Sequence, residues 1–132
     1  MEDRLVREVM TRGVITVPLG SSLTDVLKVM CKEHVHALVV VDKQGEAGGV
    51  ITKVDVLHHF AKDLSAISVD EVMTPRLITI SPEARLKEAV SLMLVRRVHQ
   101  LVITGDDPAE RRRPVGMLSV SDVVRALCDI TT

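Results

Sequence analysis

The sequence predicts a mixed α/β (α+β) protein made of two β-α-β-β-α repeats. First, residues 6–41 match residues 69–104 at 13 of 36 positions, an internal repetition typical of duplicated structural units. Second, short β-branched runs alternate with apolar residues at helical spacing in both copies. Third, 46% of the 132 residues are hydrophobic, and the charges are mixed, so the chain should fold.

The first repeat begins with a short strand and then a helix. Ser22 is placed to cap this helix, with Asp25 at a capping-box position. The continuous apolar run at 37–41 is typical of a strand buried on both faces. In order, the predicted elements are a strand at 14–17, a helix from 23 to at least 30, strands at 37–41 and 49–52, and a helix at 54–60.

The second repeat has the same predicted order, after a short helix capped by Ser68 with Glu71. Its elements are strands at 77–80, 101–103 and 115–119 and helices at 86–94 and 123–128. We expect repeat 1 at residues 1–65 and repeat 2 at residues 66–132. Because one three-stranded sheet cannot bury both its faces alone, we expect the repeats to pack sheet to sheet with pseudo-twofold symmetry.

Composition excludes several functions. The net charge is -1, from 17 basic and 18 acidic residues, and the only aromatic residue is one Phe, so we expect no nucleic-acid partner. The longest apolar run is Ala37–Val41, and the start is acidic, so we expect no membrane partner and a cytoplasmic location. Cys31 and Cys128 lie in apolar helical patterns and are expected to be buried free thiols.

One motif occurs twice where a predicted strand meets a predicted helix. Thr52 precedes Asp55 by three residues, and Ser119 precedes Asp122 in the same way. Taken alone, the pattern favours a helix cap, in which the hydroxyl accepts from the first free N–H groups. The same groups also suit a nucleotide, because a helix start binds phosphate and a carboxylate can accept two ribose hydroxyls.

In both copies, Val-Met-Thr is followed by Ile-Thr, a helix, His-x-Leu-Val, and a Gly-led strand ending in the Thr/Ser-x-x-Asp motif. This order resembles the cystathionine-β-synthase (CBS) domain, and two copies resemble a CBS pair from about residue 5 to residue 128. The resemblance implies a regulatory module that binds an adenosine-containing nucleotide in clefts between the repeats and signals to a partner protein.

The resemblance also implies two sets of binding residues. In one, Asp55 holds the ribose; in the other, Asp122 does. The set with Asp55 is Thr52, Lys53, Asp55, Thr74, Ile78 and Val98, where Lys53 supplies a cation beside Val54. The set with Asp122 is Ser119, Ser121, Asp122, Thr11, Ile15 and Val35. By the resemblance, the first three residues of each set face ribose and phosphate, and the last three form the adenine pocket.

His36 and His99 match family positions near phosphate, and the alternative is that they cap strand ends. The family often has Arg after this His, whereas this chain has Ala37 and Gln100, which weakens the expectation of tight triphosphate binding. Basic residues elsewhere either compensate or form a solvated loop balanced by nearby acids; they are Arg96, Arg97, Arg111, Arg112 and Arg113, with Asp106, Asp107 and Glu110.

We therefore expect a non-enzymatic sensor with no catalytic cofactor. Its ligand would be AMP, ADP or ATP, with S-adenosylmethionine and NAD as further candidates. No metal site is expected, because the pairs His34/His36 and His58/His59 lack further ligands at suitable spacing. Helical apolar residues beyond one core's need predict an exposed patch, and by the resemblance a disc-like homodimer; they include Leu57, Phe60, Val124 and Leu127. The alternative function is a dimerising scaffold that binds no nucleotide.

Overall fold

The computed structural model describes residues 3–75, 77–105 and 113–131. The chain divides into two compact units, which we name by their place in the sequence. The central unit is Ile15–Leu77, and the terminal unit is Met1–Val14 with Ile78–Thr132. In chain order the elements are β1 (Thr11–Arg12), β2 (Thr16–Pro18), α1 (Leu23–Glu33), β3 (Ala37–Val41), β4 (Ala47–Thr52), α2 (Lys53–Leu57), β5 (Thr79–Ile80), α3 (Leu86–Arg96), β6 (Gln100–Thr104), β7 (Pro114–Ser119) and α4 (Val120–Thr131).

The central unit contains a three-stranded sheet in the order β2-β3-β4. β2 runs parallel to β3, as a strand–helix–strand crossover requires, and β3 is antiparallel to β4. α1 begins where Ser22 Oγ accepts a 3.1 Å hydrogen bond from the backbone of Asp25. Nine buried side chains form the core: Val17, Leu23, Val26, Met30, Leu38, Val40, Ile51, Val56 and Val69.

The terminal unit contains a four-stranded sheet in the order β1-β7-β6-β5. β5 is parallel to β6, and β7 is antiparallel to both β6 and β1. The N-cap of α3 is Arg85, whose side chain makes no capping hydrogen bond. Its core consists of Val6, Leu86, Ala89, Met93, Leu101, Ile103, Leu118 and Val123.

The segment that leads into each repeat joins the unit built by the other repeat. Val6 N donates to Ala84 O at 2.8 Å in the terminal unit, and Val69 N donates to Ser21 O at 2.7 Å in the central unit. These two bonds are equivalent at the 63-residue offset of the repeat. The compact units therefore divide the chain differently from the sequence repeats at 1–65 and 66–132.

The predicted fold class is confirmed, since both units combine a sheet with helices in the expected order. β3 matches its predicted bounds, whereas β2 begins two residues later than the predicted strand at 14–17. α2 is also shorter than the predicted helix at 54–60, since it ends at Leu57.

The predicted burial of both cysteines is wrong, because Cys31 and Cys128 are exposed. Cys31 directly follows the buried Met30, and one residue turns a helix by about 100°, which carries its side chain off the apolar face. Cys128 lies on α4 two residues beyond the buried Ala126 and is turned away in the same manner. Neither cysteine is in a disulfide.

Candidate functional site

The central unit places one hydroxyl–carboxylate pair at the junction of β4 and α2. Thr52 N donates to Asp55 Oδ2 at 2.8 Å, and Asp55 N donates to Thr52 Oγ1 at 3.2 Å. This reciprocal pair is a capping box, so the cap predicted from the motif is present. In the part of the chain that the structure describes, Asp55 Oδ1 accepts no hydrogen bond.

The terminal unit repeats this geometry where β7 meets α4. Ser119 N donates to Asp122 Oδ2 at 2.9 Å, and Asp122 N donates to Ser119 Oγ at 3.1 Å. Arg125 Nη1 also donates to Asp122 Oδ1 at 3.2 Å, a contact without a counterpart among the described residues of the central unit. Asp122 is also buried, with 9% exposure, whereas Asp55 is partly exposed.

The two histidines singled out in the sequence lie beside these junctions. His36 O accepts from Lys53 N at 3.0 Å, and His99 O accepts from Val120 N at 2.9 Å. Each histidine therefore precedes a central strand and contacts the first residue of the following helix. Both side chains are exposed, and their contact with phosphate stays a prediction.

Two glycines of the motif allow another backbone to approach. A Cβ built at Gly116 would lie 2.6 Å from Thr11 O, and one built at Gly49 would lie 2.8 Å from Thr74 O. Such distances are shorter than van der Waals contact, so both positions require glycine. At both positions the structure places a neighbouring backbone carbonyl close to the glycine.

This approach puts both threonines next to the junctions. Thr11 in β1 pairs with Met117 in β7, and Thr74 forms an isolated bridge with Val50 in β4. Thr11 therefore lies in the unit of Asp122, and Thr74 in the unit of Asp55, as in the predicted sets.

The aliphatic members of the predicted sets belong to the opposite units. Ile15 and Val35 are in the central unit, and Ile78 and Val98 are in the terminal unit. All four are partly buried and pack against the core of their own unit. The structure brings none of these four into the same unit as the carboxylate of its predicted set, so the adenine pocket stays a prediction.

The remaining predicted phosphate contacts are at the helix starts. Lys53 and Ser121 are exposed, at the first residue of α2 and the second residue of α4. Of the basic residues discussed above, Arg96, Arg97 and Arg113 are exposed. The others, with their acidic neighbours, lie outside the described residues: Asp106, Asp107, Glu110, Arg111 and Arg112.

Sequence reasoning missed Arg125. The residue that matches it in the first repeat, at the 67-residue offset of this motif, is His58. The signal was available, because an Asp and an Arg three residues apart on a helix are neighbours.

The exposed apolar side chains are where the helical spacing predicted them. Leu57, Phe60, Val124 and Leu127 are all exposed, and so are several others that were not singled out, among them Val54, Leu94 and Val95. Within residues 3–75, 77–105 and 113–131, no three His, Cys, Asp or Glu side chains are arranged to hold a metal ion. Over the same residues, no helix has the length and apolar character needed to span a membrane.

The family model of the CBS domain matches the chain twice, at residues 6–62 and 69–129. The chain belongs to the CBS domain family. The two matches contain both junction motifs and both histidines, so this CBS pair carries the hydroxyl–carboxylate motif and the histidine twice.

The curated relatives that the chain matches are longer proteins. The chain is 32% identical over 116 residues to arabinose 5-phosphate isomerase KdsD of Pseudomonas aeruginosa, covering 86% of this chain and 34% of the isomerase. It spans 51% of the length of the CBS domain-containing protein CBSX3 of Arabidopsis thaliana and 24% of the length of a homoserine O-acetyltransferase of Methanohalobium evestigatum. The CBS pair thus corresponds to about a quarter to a half of these longer proteins.

Two solved structures share the fold over nearly the whole chain. The CBS domain pair of protein MJ0100, crystallised with 5′-methylthioadenosine and S-adenosyl-L-methionine, has a TM-score of 0.86 at 23% identity, covering 97% of this chain and 98% of that one. CBSX2 in complex with AMP has a TM-score of 0.80 at 24% identity, covering 97% of this chain and 98% of that one.

Proposed function

We propose that this CBS pair is a regulatory module that binds an adenosine-containing ligand and signals its presence to a partner protein. The observation that carries the proposal is the duplicated junction, in which a capping box holds Asp55 and Asp122 at the start of a helix. The cap uses Oδ2 of each carboxylate, and a hydroxyl of the ribose would take Oδ1, which among the described residues is open at Asp55 and pairs with Arg125 at Asp122. Relatives of the same fold were crystallised with AMP, 5′-methylthioadenosine and S-adenosyl-L-methionine.

The other predicted residues complete the two sites. Thr52 and Ser119 offer hydroxyls to phosphate, with Lys53, Ser121, His36 and His99 beside them. The helix starts add backbone N–H groups that attract an anion. We assign the adenine to aliphatic walls in the same two sets as above: Thr74, Ile78 and Val98 with Asp55, and Thr11, Ile15 and Val35 with Asp122.

The ligand is proposed to be AMP, ADP or ATP, with S-adenosylmethionine and NAD as further candidates. We assign the module no catalytic step, no catalytic cofactor and no metal, because the family match covers only the two CBS repeats. It would act in the cytoplasm as a homodimer through the exposed apolar residues of α2 and α4, with a separate effector protein. Signalling requires that the ligand prefer one arrangement of the protein over another.

Equilibrium dialysis against AMP, ADP, ATP, S-adenosylmethionine and NAD tests the proposal directly. The chain has no Trp or Tyr, so bound ligand can be counted from the adenine absorbance. We expect uptake of one or two ligands per chain. The absence of uptake at millimolar concentration would contradict the proposal.

Asparagine variants then test whether the carboxylates of Asp55 and Asp122 bind the ligand. Asp55→Asn and Asp122→Asn keep an oxygen for the cap but lose the charge, and each should weaken binding at one site by roughly 1.5–3 kcal/mol. The matched control is Asp25→Asn, at the same helical position in α1, which should leave binding unchanged. Unchanged affinity in the double Asp variant would remove these carboxylates from the site.

The second candidate function is a dimerising scaffold that binds no nucleotide. The complete capping boxes favour it, because they explain both motifs without any ligand. A ligand that binds only the folded protein raises its melting temperature, so a scaffold would show no shift with any of the five compounds. Sedimentation of the ligand-free protein at several concentrations would then measure the dimer itself.

A further inference from the structure

We infer that the ion pair of Arg125 with Asp122 competes with the ligand, so that the Asp122 site binds adenosine more weakly than the Asp55 site. We call this ion pair the latch. This inference rests on the proposed function and adds a regulatory residue to one of its two sites. Among the described residues, the contact between Arg125 and Asp122 has no counterpart at the Asp55 junction. Arg125 Nη1 lies 3.2 Å from Asp122 Oδ1, the oxygen that the capping box does not use.

The corresponding oxygen in the central unit is open. Asp55 Oδ2 accepts from Thr52 N, and Oδ1 has no hydrogen-bond partner among the residues that the structure describes. His58 occupies the matching position and makes no side-chain bond to Asp55 in the same part of the chain. The two carboxylates therefore differ in a single contact at the oxygen that a ribose would approach.

Arg125 competes with a ribose for Asp122. A carboxylate oxygen paired with a guanidinium gives up part of that interaction when a hydroxyl takes its place. The side chain of Arg125 is 69% exposed and that of Asp122 only 10%. The guanidinium can therefore move into water while the carboxylate stays fixed by its cap. The ligand must therefore open the ion pair at Asp122, whereas at Asp55 there is no such pair to open.

The test isolates the Asp122 site and removes the latch. In the Asp55→Asn background, adenosine binding is compared with and without Arg125→Gln by equilibrium dialysis. Adenosine is the probe because it carries no phosphate that Arg125 could attract. An exposed ion pair contributes about 0.2–1 kcal/mol, so we expect Arg125→Gln to tighten adenosine binding by up to about fivefold.

Salt gives a readout that a purely structural role of Arg125 would not move. Raising the ionic strength from about 0.01 M to about 1 M shortens the screening length from ~30 Å to ~3 Å. Since adenosine is uncharged, added salt should tighten its binding to the Asp55→Asn chain by weakening the latch. The Arg125→Gln chain should show a much smaller salt effect.

The matched control is His58→Gln in the Asp122→Asn background, which should leave adenosine binding at the Asp55 site unchanged. Equal or weaker binding in Arg125→Gln would overturn the latch while leaving the proposed function standing. An absence of uptake of adenosine, AMP, ADP, ATP, S-adenosylmethionine and NAD by the unsubstituted chain would instead overturn the proposed function, and the latch with it.

Discussion

The central and terminal units are two versions of one architecture, and they agree in backbone more closely than in side chains. Residues 6–41 share only 13 of 36 identities with their counterparts, yet both units have a parallel strand pair crossed by an 11-residue helix. Both also accept a lead-in segment through hydrogen bonds at equivalent positions.

The differences lie in caps, strand edges and charges. Ser22 caps α1 with its side chain, whereas Arg85, the N-cap of α3, makes no such hydrogen bond. The terminal sheet gains β1 as a fourth strand, whereas its counterpart in the central unit is a single bridge at Thr74. The cation of the central junction is Lys53, before the carboxylate, and that of the terminal junction is Arg125, after it. Duplication thus preserves the hydrogen-bonded frame, while the surface at each junction is free to diverge.

Truncation of one buried leucine in each unit should change the free energy of unfolding the most, and it shows whether the two cores stabilise the protein equally. Leu38 and Leu101 occupy matching positions in β3 and β6 and are both 0% exposed. Leu38→Ala and Leu101→Ala should each lower the free energy of unfolding by about 2–5 kcal/mol, through lost burial and a cavity. Urea denaturation followed by far-UV circular dichroism measures the loss, since the chain has no Trp or Tyr to report by fluorescence.

The surface control for these variants is Val95→Ala, because Val95 is 77% exposed. Its effect should stay within about 0.5 kcal/mol. A clear loss in only one of the two leucine variants would show that the matched positions are not equivalent.

The next prediction concerns the close approach of backbone at the two junctions. Gly116→Ala should lower the free energy of unfolding by about 1–3 kcal/mol, because its Cβ would meet the carbonyl of Thr11 at 2.6 Å. Gly49→Ala should cost somewhat less, because the carbonyl of Thr74 is at 2.8 Å and the closer atom, at 2.6 Å, belongs to the flexible side chain of Met73. Gly48→Ala is the control, with nothing closer than 3.7 Å. Equal stability of the Gly116 and Gly48 variants would contradict this account.

A smaller effect should follow from the unequal helix caps. Ser22→Ala removes the oxygen that accepts from Asp25 N, and should lower the free energy of unfolding by about 0.5–2 kcal/mol. Arg85→Ser supplies the missing cap to α3 and should raise it by up to about 1 kcal/mol. Chemical denaturation of both variants shows whether the free energy of unfolding falls for Ser22→Ala and rises for Arg85→Ser. Destabilisation by Arg85→Ser would show that its ion pair with Asp3, at 3.8 Å, matters more than the cap.

The last prediction concerns the charge of Lys53 at the central junction. Its effect should be the smallest, and it depends on the proposed function. Lys53 is exposed at the start of α2, where Val120 stands in α4. In the Asp122→Asn background, Lys53→Gln should weaken AMP binding by about two- to fivefold and leave adenosine binding unchanged. Dialysis with both compounds separates the two effects. An equal loss for AMP and adenosine would show that Lys53 does not act through the phosphate.

The sequence alone determined the repeat, the order of elements and the hydroxyl–carboxylate junctions. The bounds of β3 could be predicted because the apolar run at 37–41 ends in polar residues on its C-terminal side. The cap at Ser22 could be predicted because its partner is only three residues away. These features depend on neighbours in the chain, so a pattern of residue types is enough to reveal them.

The unit that receives each lead-in segment depends on the three-dimensional fold. Val6 and Val69 lie at equivalent positions in the two repeats, and both are 0% exposed. Local sequence could place either valine in either core, because the repeats are too alike to distinguish its partner. The same holds for the two glycines, whose contacts with Thr11 and Thr74 depend on how folded elements meet. Helix phase likewise decided that Cys31 is exposed, since one residue's rotation separates it from the buried Met30.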